Sequence, residues 1–298
     1  MTQSVTLSEK PILVTGATGL QGLAVVKALL LSGWKVRAMI HNPDNAHISH
    51  FKELGVEIIH ADLDEFHSLI TAMKNIYGVF SVIPSDPEDP ETEIRRGKKI
   101  AEAASKTNVQ HFIYSSMYGT TGKSGISYFE VKWQIESYIK QSGLPFTILR
   151  PAFFMENFLA SRTVLLSLLS SILGHSTLHM TCTADIAKMV AFSFANPEKT
   201  IGKILDVTSD NLTIDQVQDL MKSRNGKKPL IIRIPRFLAT VLAKDIGKWL
   251  LWIYRYGDGK PTTSLHKHGL EETRFEQWAD EYRSTYLYKK DPLQLPKL

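Results

Sequence analysis

The chain has one cysteine, Cys182, in 298 residues, so no internal disulfide can form and a disulfide-stapled secreted scaffold is excluded. Long apolar runs are missing as well. The longest, Val164 to Leu173 (VLLSLLSSIL), falls well short of the ~20 residues that span a bilayer and carries three serines. A buried or partner-facing helix is expected there, and no membrane association. The opening MTQSVTLSEK lacks the apolar stretch of a secretory signal, which makes the cytoplasm the expected compartment. Charge of one sign is scarce too. With 35 Lys and Arg against 30 Asp and Glu, the net charge is +5, with no run of five basic residues and no alternation of basic and aromatic side chains. Such a mild excess suits an anionic small ligand, and no nucleic acid is expected. His266, His268 and the scattered His47, His50, His60 and His67 have no second ligand pair at metal-site spacing, so no metal is expected. Repeats and low-complexity tracts are absent.

What is present is 43% apolar residues, enough for a sizeable core, and a clear alternation of periods. Short β-branched runs predict strands at Ile12–Thr15, Lys35–Ile40, Val56–His60, Gly78–Val82, His111–Ser115 and Phe146–Leu149. Apolar spacing of three and four predicts helices near Leu20–Ser32, Ala46–Leu54, Phe66–Lys74, Glu91–Thr107 and Tyr128–Gln141. This is the signature of an α/β fold with a doubly wound parallel sheet of Rossmann type over residues 1–151. After Pro151 the pattern changes, and residues 152–298 are expected to form a smaller, mostly helical cap region with excursions back to the sheet. Within it Thr181–Phe194 and Thr213–Lys222 read as helices, the latter begun by a threonine N-cap, and Ile204–Thr208 and Pro229–Ile234 as strands. Phe237–Tyr256 reads as one long helix with Trp249, Trp252 and Tyr256 on one face, a core or subunit-interface pattern. Thr273 and Glu276 form a capping box that opens a last helix over Gln277–Tyr286.

The run ILVTGATGLQG sets Gly16, Gly19 and Gly22 between the first strand and the first helix. A phosphate-binding turn needs that context: Gly16 for the tight turn, Gly19 for close approach of backbone to pyrophosphate, Gly22 for helix packing on the sheet. Thr18, Leu20 and Gln21 complete the loop, and the helix N-terminus supplies N–H groups and a favourable dipole for an anion. The expected ligand is NAD(P). Enzymes specific for NAD usually carry Asp or Glu at the end of the second strand; VRAMIHNP offers Arg37, His41 and Asn42 instead, so NADP(H) is preferred and NAD(H) possible. Asp62 and Leu63 close the third strand as candidates for the adenine, or Asp62 as a helix cap. Pro84 begins a stiff segment, Pro84–Pro90, placed to act as a lid near the nicotinamide.

Chemistry is expected after the fifth strand. Tyr128 and Lys132, four apart, share a helix face, and a phenol with an ordinary pKa near ~10 needs a neighbouring ammonium to serve as an acid. Ser115 and Ser116 at the strand end can hold a carbonyl, with Met117 and Tyr118 following as substrate contacts. The roles expected are Tyr128 as general acid, Lys132 as its tuner and a ribose anchor, and a serine as carbonyl orienter. His175 and His179, just after Gly174, are candidates for substrate contact.

TGATGLQG, VRAMIHNP, ADLDE, YSSM, the motif ending at Lys132, GLPFTILRPAFFMENF and EETRFEQWADEY occur in the order found in NmrA-like proteins, atypical relatives of the short-chain dehydrogenases/reductases. The resemblance covers almost the full chain. It implies a sheet that binds NAD(P), Gln21 closing over the cofactor, and Phe153, Phe154, Met155, Glu156 and Asn157 leading into a substrate cleft. It also implies one of two functions: an NADPH-dependent oxidoreductase of a small quinone or carbonyl acceptor, or a non-catalytic redox sensor with a protein partner or a second copy. His41 stands where the family often has arginine, and Tyr128 where it often has histidine. Tyrosine at that place resembles the catalytic residue of conventional short-chain reductases and favours the enzyme.

Overall fold

The fold is described from a computed structural model, which describes residues 9–86, 88–159, 162–225, 229–256 and 264–286. Two compact units divide the chain: residues 1–151 with 186–207, and residues 152–185 with 208–298.

The first unit opens with β1 (Ile12–Val14), α1 (Leu20–Leu31), β2 (Val36–Ile40), α2 (His47–Glu53), β3 (Glu57–His60) and α3 (Phe66–Ala72). It continues with β4 (Gly78–Ser81), α4 (Pro90–Lys106), β5 (His111–Ser115), α5 (Ser127–Gln141) and β6 (Phe146–Pro151). Further along the chain come β7 (Phe153–Phe154), a 3-10 turn (Met155–Leu159), α6 (Arg162–Leu173), β8 (Leu178–Thr181), α7 (Thr183–Ala195), α8 (Pro197–Thr200) and β9 (Lys203–Val207). The strands pair in parallel in the order β3-β2-β1-β4-β5-β6-β9. All three residues of β1, all of β4 and all of β5 are buried, as expected of strands covered on both faces. On one face Leu13, Val79, Phe112 and Ile148 pack with Ile100, Ala104, Ile135 and Ile139 from α4 and α5. The order reverses between β1 and β4, and ligands of such sheets bind beyond the strand ends at that switch point.

The second unit is completed by β10 (Asp210–Leu212), α9 (Ile214–Asn225), α10 (Arg236–Leu242), α11 (Lys244–Tyr256), α12 (Ser264–Lys267) and α13 (Phe275–Tyr286). Its sheet is β10-β8-β7. Thr213 and Gln216 cap α9 reciprocally: Gln216 N–H donates to the threonine hydroxyl and Thr213 N–H to the glutamine carbonyl. Three expectations fail in this unit. Pro229–Ile234 forms no strand. Ile232 and Ile234 donate their N–H groups to the hydroxyls of Ser167 and Ser171, and the Arg233 guanidinium donates to Ser170, so the serines of α6 do the work of a neighbouring strand. The long helix is two, broken where Lys244 takes a left-handed backbone, φ 51°. The capping box is displaced by one residue: Gln277 accepts from Arg274 N–H, while Thr273 donates from backbone and hydroxyl to Asp185.

Candidate functional site

The glycine turn is shaped by contacts that leave no space for side chains at two positions. Gly16 has φ 56°, and a Cβ there would lie 2.8 Å from the Val82 side chain. At Gly22 a Cβ would lie 2.0 Å from the Gly16 carbonyl oxygen, because the first turn of α1 sits directly on the turn that precedes it. Thr15 locks this corner to the sheet: its hydroxyl donates to Val82 carbonyl at 2.8 Å and accepts from Val82 N–H at 2.9 Å. Gly19 is the N-cap of α1, in extended conformation, with no side-chain cap and no acidic residue in the first turn. The helix end therefore presents N–H groups and a positive dipole end with no carboxylate of its own beside them. Gly16, Gly19 and Leu20 are exposed and Thr18 is half-buried.

Gln21, in the first turn of α1, reaches the end of β5, where the Ser115 hydroxyl donates to its amide oxygen at 2.7 Å. The sheet alternates sides, so the next serine points elsewhere. Ser116 donates to Glu136 on α5 at 2.6 Å, and Glu136 holds Arg150 through two hydrogen bonds of 2.9 and 2.7 Å. Only Ser115 of the expected pair is brought to the glycine turn. Ser116 belongs to a buried ion-pair network.

Lys132 is also bound within the protein. Its ammonium lies 2.6 Å from Glu93 of α4, with 11% and 2% of the two side chains exposed, and over the Tyr114 ring at 5.6 Å. A cation paired this closely to a buried carboxylate has little field left to lower a neighbouring phenol's pKa. The expected tuning of Tyr128 by Lys132 would therefore draw on an ammonium already paired with Glu93. Tyr128 itself is half-buried at the start of α5. Glu93 accepts from Ser85 as well, and Tyr114 is buried between the carboxylates, its pKa pushed well up by burial and then by Glu93 and Glu136. Glu93, Glu136 and Arg150 were missed by motif reading. A signal existed: Phe129, Lys132 and Glu136 follow the three-and-four spacing of α5's buried stripe, and charges on such a stripe need partners.

At the end of β2 the expected cationic rim changes. Arg37 sits near the start of the strand, donates to the carbonyls of Ala72 and Lys74 and pairs with Glu57 at 2.9 Å, so it is not available to a phosphate. His41 is exposed and faces Asp62 at 3.5 Å. The Asn42 side chain accepts from Asp44 N–H. Asp62 forms a tight turn by accepting from Asp64 N–H, rather than capping α3, whose N-cap is Glu65. Leu63 packs against the core. Next to them Asp64 is held to about 2 by hydrogen bonds from Arg96 and Arg95. Pro84 is exposed, but the expected lid ends as a helix start: Asp89 caps α4 and Pro90 is its first residue, while Pro87 lies outside the described residues.

Met117 and Tyr118 follow Ser116 and are half-buried; Tyr118 N–H donates to Pro151 carbonyl. In the second unit the Phe153 ring stacks on Trp249, centroids 5.9 Å apart, and packs on Phe158. Phe154 is half-buried and Asn157 exposed. His175 is exposed, and His179 is buried in β8. Burial pushes the Cys182 thiol up to about 12, which makes it inert as a nucleophile. Among the described residues no group of three or more His, Cys, Asp or Glu side chains can hold a metal, and no helix is long and apolar enough to cross a membrane.

Similar proteins agree with this architecture. The chain is 27% identical over 245 residues to photosystem II assembly factor Ycf39 of Trieres chinensis, covering 79% of this chain and 76% of that protein. It is 29% identical over 264 residues to the NmrA-like family domain-containing oxidoreductase lnbB of Aspergillus flavus, covering 78% of each. The NADPH-dependent quinone oxidoreductase QOR2 of Escherichia coli, solved with NADPH, shares the fold with a TM-score of 0.77 at 19% identity, over 91% of this chain and 99% of that one. The sequence model of the NmrA-like family matches residues 8–255, and the chain belongs to that family.

Proposed function

We propose that the protein is an NAD(P)H-dependent oxidoreductase that reduces a small quinone or carbonyl compound. The glycine turn carries this reading: two positions exclude a Cβ, and the following helix end has neither side-chain cap nor acid. Those features fit a dinucleotide, whose pyrophosphate would be held by the backbone N–H groups of Leu20 to Gly22, the Gly19 N–H being donated to the Gly16 carbonyl within the turn. A bound nicotinamide supplies two electrons as hydride. The chain's own residues do the rest. A carbonyl that takes hydride at carbon needs a proton at oxygen, and the Tyr128 hydroxyl supplies it. Ser115 orients the acceptor by turning its hydroxyl from Gln21 to the acceptor oxygen. The acceptors of the relatives, a quinone in the Escherichia coli protein, support the substrate class.

NADP(H) is proposed over NAD(H), on His41 and the lack of a carboxylate on β2 itself. With Arg37 engaged elsewhere and Asp62 beside His41, the expected preference is modest. A second reading, a redox sensor that binds the cofactor without turnover, is favoured by one observation, the Lys132–Glu93 pair, which engages the lysine of the usual tyrosine–lysine couple with a buried carboxylate. NADPH oxidation against a panel of quinones and aldehydes separates the two. The enzyme predicts turnover that Tyr128→Phe lowers about 100-fold or more. No turnover with any acceptor, alongside measurable NADPH binding, establishes the sensor; turnover unchanged in Tyr128→Phe removes the tyrosine from the mechanism.

A further inference from the structure

We infer that the corner between α10 and α11 docks on an anionic lipid surface, contrary to the expectation from the sequence that no membrane is involved. Phe237, Val241 and Leu242 are 73%, 71% and 61% exposed, and Leu238 and Ile246 lie beside them in the chain at 40% and 47%. Positions 237, 238, 241 and 242 form one stripe of α10, while Ala239 faces inward. Arg236 fixes the helix in this orientation, donating to the Ile172 carbonyl and lying 3.6 Å above the Tyr254 ring. Trp249, Leu250 and Ile253 of α11 are buried, so the outer side of that helix is left to Lys244, Lys248 and Arg255, all exposed. Side chains this exposed protrude; they do not line a groove that would receive a peptide. Large apolar protrusions close together are uncommon on soluble monomers and mark an interaction surface.

Charge selects the occupant. Residues 229–256 contain Arg233, Arg236, Lys244, Lys248 and Arg255 against Asp245 alone. Arg233 is paired with Asp215 and Lys248 with Asp245, which leaves Lys244 and Arg255 as the free cations among the described residues of this face. Lys244 stands at the corner between Leu242 and Ile246. A two-fold contact between copies would gather these cations from both copies into one interface, where the one carboxylate of the segment, Asp245, is already paired with Lys248. An anionic bilayer accepts the apolar side chains below its headgroups and the cations at them. The inference does not depend on the acceptor chemistry proposed above.

The test is flotation of the full chain with vesicles of phosphatidylcholine alone and with vesicles containing about 30% phosphatidylserine. Binding is expected to the second kind, at least about tenfold tighter than to the first, and to weaken as salt is raised. Phe237→Ser with Val241→Ser, both at exposed sites and expected to melt as the wild type does, should lose at least about tenfold in binding. Lys244→Gln with Arg255→Gln should remove the preference for phosphatidylserine. Three results overturn the inference: no flotation of the folded wild type, flotation that neither double variant changes, or a dimer that the apolar variant dissociates in the absence of vesicle binding.

Discussion

The end of β1 and the interface of α4 with α5 are built on opposite plans. At the first, the chain leaves the N–H groups at the start of α1 without acidic or side-chain partners: the N-cap Gly19 has no side chain to accept from them, and the first turn has no carboxylate. At the second, two of the groups expected to do chemistry are paired within the protein, Lys132 to Glu93 and Ser116 to a Glu136 that also binds Arg150. Open donors invite an anionic ligand, while closed pairs hold two helices to the sheet. Gln21 and Ser115 are the direct link between the open turn and the end of β5.

The comparison breaks most severely if a Cβ is placed in the open region. Gly22→Ala sets a methyl 2.0 Å from the Gly16 carbonyl oxygen and should cost more than about 3 kcal/mol in denaturant unfolding, with NADPH affinity reduced about 100-fold. The closed region predicts a loss of stability of similar size. Lys132→Met leaves Glu93 buried without its counter-ion, and a loss of about 3 kcal/mol is expected; adding Glu93→Met should recover most of it. If the single variant melts normally and only turnover falls, Lys132 is catalytic rather than structural.

A buried group outside that interface titrates. His111 is buried in β5, bonded to the Thr147 hydroxyl at 2.8 Å and edge-on to Phe194, and burial lowers its pKa from 6.5 to about 4. The unfolded chain takes up the proton first. Stability from this site is therefore complete above pH 6.5 and declines as the pH falls toward 4, by about 3 kcal/mol in full. His111→Gln should flatten that part of the stability profile, measured by denaturant melts across the range. The smallest effects concern cofactor choice. Arg37→Ala should leave the ratio of NADPH to NADH affinities unchanged, because its guanidinium serves Ala72, Lys74 and Glu57. Asp62→Asn should shift that ratio a few-fold toward NADPH by removing a negative charge beside His41.

These outcomes track what could be read from residues alone. The strands β1 to β6 and the helices between them were legible because buried parallel strands are uninterrupted β-branched runs, and because α4 and α5 keep a clean apolar stripe. The glycine turn was legible because its signal is local, a few residues between strand and helix. Pairings across the fold were not. Nothing in VRAMIHNP says that Arg37 points to the end of α3, and Lys132 meets a carboxylate 39 positions away in the chain. In the second unit Pro229–Ile234 has a strand's composition, yet its N–H groups go to serine hydroxyls on α6, a solution that composition does not encode. The break at Lys244 carries no glycine or proline and could not be anticipated.

The most direct test of the account is a titration of NADPH into Gly19→Asp. Gly19 already has N-cap geometry, and a Cβ there would lie 3.3 Å from the Gly16 carbonyl oxygen, so a small adjustment admits aspartate, a preferred N-cap residue. The carboxylate would occupy the donors proposed for the pyrophosphate and repel its charge. The account predicts a variant that melts at or above the wild-type temperature and binds NADPH about 100-fold more weakly. Wild-type affinity in a normally folded Gly19→Asp would contradict it.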